Sequence, residues 1–356
     1  MVSNIKKMDS NNKFKLYLPA IADENNNNIS LVAADVRGEK TCFAHYTTEN
    51  QHLVLRAEKE YTTGEFSSFE AIAERFIGEF SLSGISKLAV AVPGPVISRA
   101  SAPQRLQFAL NADEISRQLN IPSVYLINDL EASAYGLGNN SDQCFHTIHE
   151  TQNMVPGNIA VLAPGAGLGE AGLFWDGQYM RPFATEGGHC EFSPRTSDEV
   201  EFYQFLHKIY GIVTWESVLS HDGLFNIYRF LRDVKQQKQP EWLTKEIDAG
   251  NFSKAIIEGA LQNRDRICNM TIDTFMIFLA REANSLVLKL KATGGLFISG
   301  DIPVMLQTYL NKEKFYRNFI VSDKMDDLLR DVPIYLVKDQ KTIIQGAALY
   351  AAFSGE

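Results

Sequence analysis

The sequence lacks several features that mark large classes of protein. Its 356 residues include only four cysteines, Cys42, Cys144, Cys190 and Cys268, with no CxxC pair, so neither a disulfide framework nor a zinc motif is expected. It has no lysine- or arginine-rich block and a net charge of −9, which argues against a nucleic-acid partner. It also has no apolar run near the ~18 residues of a membrane span and no secretory signal in residues 1–15. We therefore expect a cytoplasmic protein that binds neither nucleic acid nor membrane.

What is present is typical of a globular chain of two domains. The hydrophobic fraction is 45% and the charged fraction 22%, and the length exceeds that of one ordinary hydrophobic core. Residues 1–28 are polar, with four consecutive asparagines, and are predicted to be a flexible N-terminal extension. A small α/β domain is predicted for residues 29–139, completed by the C-terminal helix 338–356. A large α/β domain is predicted for residues 140–337.

Strand and helix patterns alternate along both halves. Predicted strands cover residues 29–34, 42–46, 53–61, 87–92, 123–127, 159–163, 296–299 and 334–337. Predicted helices cover residues 66–82, 112–119, 131–137, 199–210, 223–232, 254–291 and 342–353. This alternation predicts mixed sheets with crossover helices. A strand leads into a turn at Asp35 and again at Gly165, which indicates two similar halves with a cleft between them.

An amide and a carboxylate follow one of the apolar strands. Asn128 and Asp129 stand where strand 123–127 ends, and open α/β sheets place their ligands at the carboxyl ends of strands. Asp129 is therefore a candidate general base that accepts a hydroxyl proton during phosphoryl transfer. The alternative is that the two residues only cap the following helix.

A second polar group stands beside a Gly-Gly bend. Glu186 and His189 flank Gly187-Gly188, and Glu216 follows further along the chain. Carboxylates and an imidazole can hydrogen-bond several hydroxyl groups of a sugar. The alternatives are a metal site or a solvated loop, although the spacing that zinc prefers is absent.

The turn Pro164-Gly165-Ala166-Gly167-Leu168-Gly169 follows another apolar strand. Glycines there would let backbone N–H groups approach a phosphate closely. A hairpin turn without a ligand is the other interpretation. The run is neither a Walker A sequence nor a dinucleotide-binding fingerprint.

Taken in order, these pieces resemble the bacterial glucokinase family of the actin-like, hexokinase-related ATPases. The resemblance runs from about Leu31 to Phe353, and the Cys-rich zinc motif of the related ROK kinases is absent. The residues that carry it are Asp35-Val36 with Gly38, Pro93-Gly94-Pro95-Val96, Ile127-Asn128-Asp129, the turn 164–169, Glu186-Gly187-Gly188-His189, Glu216-Ser217-Val218-Leu219-Ser220, Gly294-Gly295-Leu296-Phe297-Ile298-Ser299-Gly300 and Gln345-Gly346-Ala347-Ala348.

The resemblance implies a two-domain actin-like ATPase fold of the ribonuclease H-like kind, with a cleft between the domains. It implies that ATP phosphorylates glucose to glucose 6-phosphate while domain closure excludes water. Asp129 would deprotonate the sugar 6-hydroxyl, with Asn128 as a sugar ligand beside it. Glu186, His189 and Glu216 would bind further sugar hydroxyls. A homodimer is also expected from the family.

The resemblance assigns the nucleotide site to both glycine turns. Gly165, Ala166, Gly167 and Gly169 would form the second phosphate loop, and Gly300 would lie near the adenosine. Asp35 would hold Mg²⁺ through water, and Gly38 and Lys40 belong to the first phosphate loop. The implied cofactors are therefore ATP and Mg²⁺.

The chain departs from the family pattern at several of these positions. In the first phosphate loop Arg37 replaces a glycine and Glu39 replaces a threonine, and a carboxylate near a polyphosphate is repulsive. Arg37 or Lys40 could offset part of that charge. Ala166 replaces a threonine in the second loop. Gln104-Arg105 replaces a Thr-Asn pair that contacts sugar, and Arg105 could still donate to sugar oxygens.

These departures leave three hypotheses for the function. The first is an active ATP-dependent glucokinase with Asp129 as its base. The second is a catalytically weak or inactive sugar-binding homologue, because the changes concentrate in the phosphate loops. The third, suggested by Gln104-Arg105, is a kinase for another hexose or an amino sugar.

Overall fold

Two mixed sheets organise the chain in the computed structural model, which describes residues 13–339 and 341–354. By their contacts, the described residues form two units: unit 1 takes in residues 13–144, 173–184 and 341–354, and unit 2 takes in residues 145–172 and 185–339. This grouping differs from the predicted domains by placing residues 13–28, 140–144 and 173–184 with unit 1 and residues 338–339 with unit 2. The predicted domain boundaries stay a prediction.

The described part of the predicted N-terminal extension is docked on unit 1. Leu16 and Leu18 are buried, and the backbone N–H of Tyr17 donates to Met180 O over 2.9 Å. Gly138 is packed so closely by Leu16 that a Cβ on it would lie 2.5 Å from the leucine side chain. Residues 1–12 of the extension lie outside the described residues.

Unit 1 is built on a five-stranded sheet, with a separate sheet of two short strands and four helices. Its strands are β1 (Ser30–Val36), β2 (Lys40–Glu49), β3 (His52–Thr62), β4 (Ile85–Val92), β5 (Ala100–Ser101), β6 (Leu110–Asn111) and β7 (Ser123–Asn128), and its helices are α1 (Phe69–Glu79), α2 (Ala112–Leu119), α3 (Asp129–Leu137) and the C-terminal α12 (Thr342–Phe353). Short 3-10 turns occur at Glu24–Asn26, Thr63–Glu65 and Asp142–Cys144. Side-chain caps explain where the helices begin: Ser68 caps α1 and Asn111 caps α2, as expected for Ser and Asn.

The order of the main sheet of unit 1 is β3-β2-β1-β4-β7. β1, β4 and β7 are parallel, whereas β2 and β3 form antiparallel hairpins with their neighbours. Alternate residues of the parallel strands point into a core that includes Val32, Phe43, Phe76 and Val90. The carboxyl ends of β1, β4 and β7 consequently lie side by side.

Unit 2 is built on a six-stranded sheet with eight helices. The strands of this sheet are β8 (Phe145–His149), β9 (Ile159–Pro164), β10 (Leu168–Trp175), β11 (Met180–Thr185), β12 (Gly295–Ile298) and β13 (Ile334–Val337). Residues 173–184, which include the end of β10 and nearly all of β11, are grouped with unit 1. Unit 2 also has a 3-10 turn at Gly187–His189. Its helices are α4 (Ser197–Tyr210), α5 (His221–Asp233), α6 (Glu241–Asp248), α7 (Phe252–Leu261), α8 (Arg266–Leu290), α9 (Asp301–Met305), α10 (Lys312–Phe319) and α11 (Asp326–Arg330). The sheet order is β11-β10-β9-β12-β13-β8, in which β9, β12 and β13 are parallel. The core of unit 2 packs α5, α7 and α8 around aromatic side chains such as Phe275.

The prediction of one long helix over residues 254–291 was wrong. The structure breaks it into α7 and α8, because Asn263 adopts a left-handed conformation with φ of 49°. Asp265 then caps α8 by accepting a hydrogen bond from the N–H of Ile267 over 3.1 Å. Asparagine tolerates the left-handed region better than most residues, and aspartate is a preferred cap. None of the described helices is both long and apolar enough to cross a membrane.

Candidate active site

Polar residues of unit 1 collect at the carboxyl ends of its three parallel strands. Asp35 on β1 is paired in register with Ala91 on β4, which is paired with Ile127 on β7. Asn128 ends β7 and Asp129 begins α3. The predicted base, its neighbour and the predicted metal carboxylate therefore share one edge of the sheet.

Asn128 caps α3, as the alternative to a purely catalytic role had predicted. Its side-chain oxygen accepts from the N–H groups of Leu130 and Glu131 over 3.0 and 3.1 Å. Its amide nitrogen donates to Gly94 O over 3.0 Å. The cap uses both acceptor positions and one of the two N–H groups, so one amide hydrogen is left for another partner.

Asp129 is half-buried at the first position of α3. One of its carboxylate oxygens accepts from the N–H of Leu130 over 2.9 Å. A carboxylate at a helix N-terminus is stabilised in its charged form by the helix dipole. The fold thus places the Asp129 carboxylate at the start of α3, with one of its oxygens bonded to the backbone.

Arg37 pairs directly with Asp35. Its Nε lies 3.2 and 3.0 Å from the two carboxylate oxygens and its terminal nitrogen 2.8 Å from one of them. The side chain of Asp35 is 12% exposed and that of Arg37 is 55% exposed. A planar guanidinium is suited to such a fork on a carboxylate. Arg37 therefore offsets the charge of Asp35, whereas the sequence had suggested Arg37 or Lys40 as an offset for the charge of Glu39.

The first glycine turn also brings Gly38 next to Arg105. A Cβ on Gly38 would lie 2.8 Å from the backbone oxygen of Arg105, so only glycine fits the turn without displacing that loop. The side chain of Arg105 is exposed. Lys40 is also exposed, and its ammonium lies 2.7 Å from Glu60. Glu60 raises the pKa of Lys40 through that hydrogen bond.

In unit 2 the second glycine turn is the tight connection of the β9–β10 hairpin. The N–H of Gly165 donates to Gly167 O over 2.8 Å, with Ala166 at the tip and Gly169 in β10. A Cβ on Gly167 would lie 2.5 Å from a Glu216 oxygen, and one on Gly165 would lie 2.7 Å from an Asp301 oxygen. The carboxylates of Glu216 and Asp301 therefore occupy the space that side chains at positions 167 and 165 would need, which explains the two glycines without a bound phosphate.

Glu216 connects the glycine turn to the bend that carries Glu186 and His189. Its carboxylate accepts from the N–H of Leu168 over 3.0 Å, and its own N–H donates to Gly188 O over 2.9 Å. Glu216 is half-buried, whereas Glu186 and His189 are exposed. The three predicted sugar ligands thus belong to one connected set of backbone bonds within unit 2.

Gly300 lies behind the second glycine turn. Its φ is +88°, and a Cβ on it would lie 2.3 Å from Pro164 O, so this position requires glycine on two grounds. Asp301 follows it and lies 2.8 Å from His221 Nε2, while His221 Nδ1 lies 2.6 Å from Ser253 Oγ. Burial by itself would raise the pKa of Asp301, but the hydrogen bond to His221, the charge of His221 and backbone N–H groups together outweigh burial and lower that pKa.

Two charged arrangements were missed from the sequence. The first is the His221–Asp301 pair, which has no local signal because 80 residues separate its members. The second is a buried carboxyl pair, Glu170 in β10 and Glu282 in α8. Part of its signal was available, since Glu170 interrupts an otherwise apolar run, whereas Glu282 directly follows Arg281. No cluster of three or more metal-ligating side chains occurs among the residues the structure describes.

Comparison with known proteins identifies the family that the chain resembles. A family model described as Glucokinase matches residues 32–353. The glucokinase of Trichormus variabilis is 31% identical over 337 residues, covering 90% of this chain and 98% of that protein.

Solved structures add the fold. The glucokinase of Balamuthia mandrillaris in complex with glucose has a TM-score of 0.76 at 19% identity and covers 93% of this chain and 96% of its own. A ROK family glucokinase from Streptomyces griseus, in complex with glucose and AMPPNP, has a TM-score of 0.58 at 15% identity and covers 90% and 99%. These likenesses confirm the predicted actin-like ATPase fold. With the family match over nearly its whole length, the chain belongs to the glucokinase family.

Proposed function

We propose that this protein transfers the terminal phosphoryl group of ATP to glucose, giving glucose 6-phosphate and ADP. The observation that carries the proposal is the placement of Asp129. Its carboxylate lies half-buried at the N-terminus of α3, at the same sheet edge as Asp35. Membership of the glucokinase family, matched over residues 32–353, supports the reaction class.

Asp129 acts in this proposal as the general base. Phosphoryl transfer proceeds through a loose transition state, so the acceptor hydroxyl needs orientation and a proton acceptor more than a strong base. An ionised carboxylate held by the N–H of Leu130 meets both needs. The proton of the sugar 6-hydroxyl passes to Asp129 as its oxygen bonds to phosphorus and the bond to ADP breaks.

The remaining polar groups divide into sugar and nucleotide ligands. We assign Glu186, His189 and Glu216 to sugar hydroxyls, with the spare amide hydrogen of Asn128 as a further donor. The turn 165–169 and Gly300 are assigned to ATP, with Ala166 supplying backbone groups only. Gly38 and Lys40 complete the nucleotide assignment, and Lys40 would need to leave Glu60 to reach a phosphate.

The first phosphate loop has the one carboxylate that Mg²⁺ would need, that of Asp35, but both oxygens of that carboxylate are bonded to Arg37. Mg²⁺ is typically held by one or two carboxylates together with substrate phosphates and water, and Asp35 supplies one carboxylate. Both of its oxygens are engaged by Arg37. Asp35 would hold the ion through water once Arg37 had released an oxygen, and the ion would neutralise charge on the phosphates.

The same pair favours a second candidate function, a sugar-binding protein with weak or no turnover. If Arg37 stays on Asp35, the phosphate site is left without its metal carboxylate while the sugar ligands of unit 2 are intact. A kinase for another hexose is the third candidate, because Gln104 and Arg105 stand where the family pattern has the Thr-Asn pair that contacts sugar.

The test combines ADP release with calorimetric binding of glucose. With ATP, Mg²⁺ and glucose, we expect turnover by the wild type and a fall of about 10²–10⁴-fold in kcat for Asp129→Asn, the usual contribution of a general base. Glucose binding should persist in that variant. Asp323→Asn, at an exposed aspartate, is the matched control and should leave kcat unchanged.

Each other outcome selects another function. Glucose binding without turnover in the wild type selects the non-catalytic homologue. Turnover with another hexose or a hexosamine, but not with glucose, selects the third candidate. Equal turnover by the wild type and Asp129→Asn removes Asp129 from the role of base.

We also propose a homodimer in the cytoplasm. The dimer rests on the family alone, and light scattering behind size-exclusion chromatography measures it directly. A reducing, ATP-containing compartment agrees with the four free thiols of the chain.

A further inference from the structure

Two carboxyl groups are buried against each other inside unit 2. Glu170 in β10 is 2% exposed and Glu282 in α8 is 0% exposed. One oxygen of each, Oε1 of Glu170 and Oε2 of Glu282, has no hydrogen-bond partner within the described chain. Two ionised carboxylates in such a place would repel each other and lack solvation, so the pair favours a state with one proton.

Only one cation faces this pair among the described residues. Lys289, about two turns further along α8 and half exposed, lies 3.3 Å from Glu282 Oε1. Burial raises the pKa of Glu170 although Lys289 opposes that shift. Burial, with the Glu170 charge added to it, raises the pKa of Glu282 to about 8. One lysine therefore does not balance two carboxylates.

The pair lies directly under the bend that carries the proposed sugar ligands. A Cβ on Gly187 would lie 1.9 Å from Glu170 Oε2, so this oxygen is packed against the bend itself. Thr185 Oγ1 donates to the backbone oxygen of Glu170 over 2.9 Å and accepts from the N–H of Gly187 over 3.2 Å. Any displacement of Glu170 is therefore passed to the residues between Glu186 and His189.

The same stretch of β10 also positions Glu216. Its carboxylate is bonded to the N–H of Leu168, two residues before Glu170. Gly188 is packed on Leu168 O, where a Cβ would lie only 2.1 Å away. The bend, Glu216 and β10 are thus fixed to one another within a few residues of the carboxyl pair.

We propose that Glu170 and Glu282 share one proton, and that this shared proton holds the Glu186–His189 bend in its sugar-binding position. The two glutamates are positioning residues, since in this proposal they act on the sugar through the bend and not by touching it. The inference rests on the proposed function, because it takes the bend to be part of the glucose site. It adds a pH dependence of glucose binding that the ligands themselves do not require.

The direction of that dependence follows from linkage. If glucose binds best to the singly protonated pair, its affinity is constant while the proton is held and falls once the proton is lost. Above the pKa of Glu282, about 8, affinity should fall by as much as about tenfold per pH unit. The exposed His189 and Cys190 flank the bend on its solvent side, and both remain unchanged in the test variants.

The experiment measures glucose dissociation constants between pH 6.5 and 9.5 by tryptophan fluorescence, for which the buried Trp215 beside Glu216 is a suitable reporter. Wild type should lose affinity above pH 8. Glu282→Gln keeps the shape and a hydrogen-bond donor but cannot lose a proton there, so its profile should be flat up to pH 9.5. Glu170→Gln should behave in the same way. Glu258→Gln, at an exposed glutamate of α7, should keep the wild-type profile.

Competing outcomes are separable. A wild-type profile without an inflection, or an inflection that persists in both glutamine variants, overturns the shared-proton proposal even though glucose binds. Failure of the wild type to bind glucose at every pH overturns the proposed function instead. For the glutamine variants that bind glucose, kcat at saturating glucose and pH 7 should stay within about twofold of the wild-type kcat. The substitution changes the affinity for glucose, and saturation removes the effect of affinity on the rate.

Discussion

The unusual residue of the first phosphate loop has a defined partner. Arg37 holds both oxygens of Asp35, and its own side chain is 55% exposed. A partly exposed ion pair is worth only ~0–1 kcal/mol. That free energy is small beside the electrostatic attraction expected between this loop and the proposed Mg·ATP ligand. The pair is therefore weak enough to open when nucleotide binds.

Arg37→Gly should lower the Mg²⁺ concentration needed for nucleotide binding. Without the guanidinium, Asp35 is available to the hydrated ion from the start. We expect the half-saturating Mg²⁺ concentration to fall by up to about fivefold, the equivalent of ~1 kcal/mol. Binding of a fluorescent ATP analogue, titrated with Mg²⁺, measures this without relying on turnover.

Arg37→Lys is the matched control for that experiment. A lysine keeps the positive charge but cannot form the two parallel hydrogen bonds of the guanidinium fork, so its Mg²⁺ requirement should lie between those of wild type and Arg37→Gly. An identical Mg²⁺ titration for all three proteins would show that the Arg37–Asp35 pair does not compete with the metal.

At the residue scale, what could be predicted depended on sequence distance. The cap formed by Asn128 was an open alternative because its partners, Leu130 and Glu131, are adjacent in the chain. Arg37 was identified as a departure, but its partner was not, since its reach to Asp35 depends on a side-chain conformation. Glu170 and Glu282 are 112 residues apart in the chain, and only the fold brings them together.

At the element scale, α3 is held in place by α12. A Cβ on Gly346 would lie 1.7 Å from Ala132 O, and one on Gly136 would lie 1.9 Å from Thr342 O. The two helices thus touch through glycines on both sides. Because α3 begins at Asp129, the C-terminal helix helps to position the proposed base.

Gly346→Ala should destabilise the protein and reduce its activity. The added methyl group must push α3 away from α12, and overpacking of this kind costs about 1–3 kcal/mol. Urea unfolding measures the free energy of unfolding, and kcat reports the displacement of Asp129.

Gly78→Ala in α1 is the control for that helix contact. No atom lies within 4 Å of where its Cβ would be, so the substitution tests helix propensity alone and should stabilise by ~0.5–1 kcal/mol. If Gly346→Ala were as stable as wild type, the two helices would have to separate without loss, and the close contact would not hold α3.

Element boundaries were predictable where local signals were complete. The observed bounds of α2, β13 and α12 are those expected from the sequence, because each has an apolar pattern with clear ends. β10 and β11 were missed: glycines at 169 and 172 and a proline at 182 weaken a strand pattern. The break between α7 and α8 depends on the backbone of Asn263, which a periodic apolar pattern does not reveal.

For the whole molecule, the family resemblance reached further than the local patterns did. It predicted the glucokinase family from about Leu31 to Phe353, and the family match over residues 32–353 confirms that prediction. The prediction placed the C-terminal helix, which includes residues 341–354, with the first domain. It did not predict that residues 173–184 also group with unit 1. Such groupings depend on long-range contacts, and no local propensity encodes them.

The stability of the whole protein should depend on pH through Glu282. Its pKa in the folded protein is raised to about 8 from the ordinary 4.5, so between these values the folded state keeps a proton that the unfolded chain has lost. The free energy of unfolding must therefore fall as pH rises through this window and level off above it. Glu282→Gln removes the effect, because an amide does not titrate there.

Thermal midpoints at pH 5.5 and 8.5 test this directly. The fall from the lower to the higher pH should be several degrees larger for wild type than for Glu282→Gln, since ~1 kcal/mol corresponds to about 2–4 °C in domains of this size. Glu258→Gln should follow wild type, because its side chain is exposed. Equal falls for wild type and Glu282→Gln would mean that Glu282 is ionised in the folded protein at both pH values. Any proton of the buried pair would then be held by Glu170 alone, and the two glutamates would not share it.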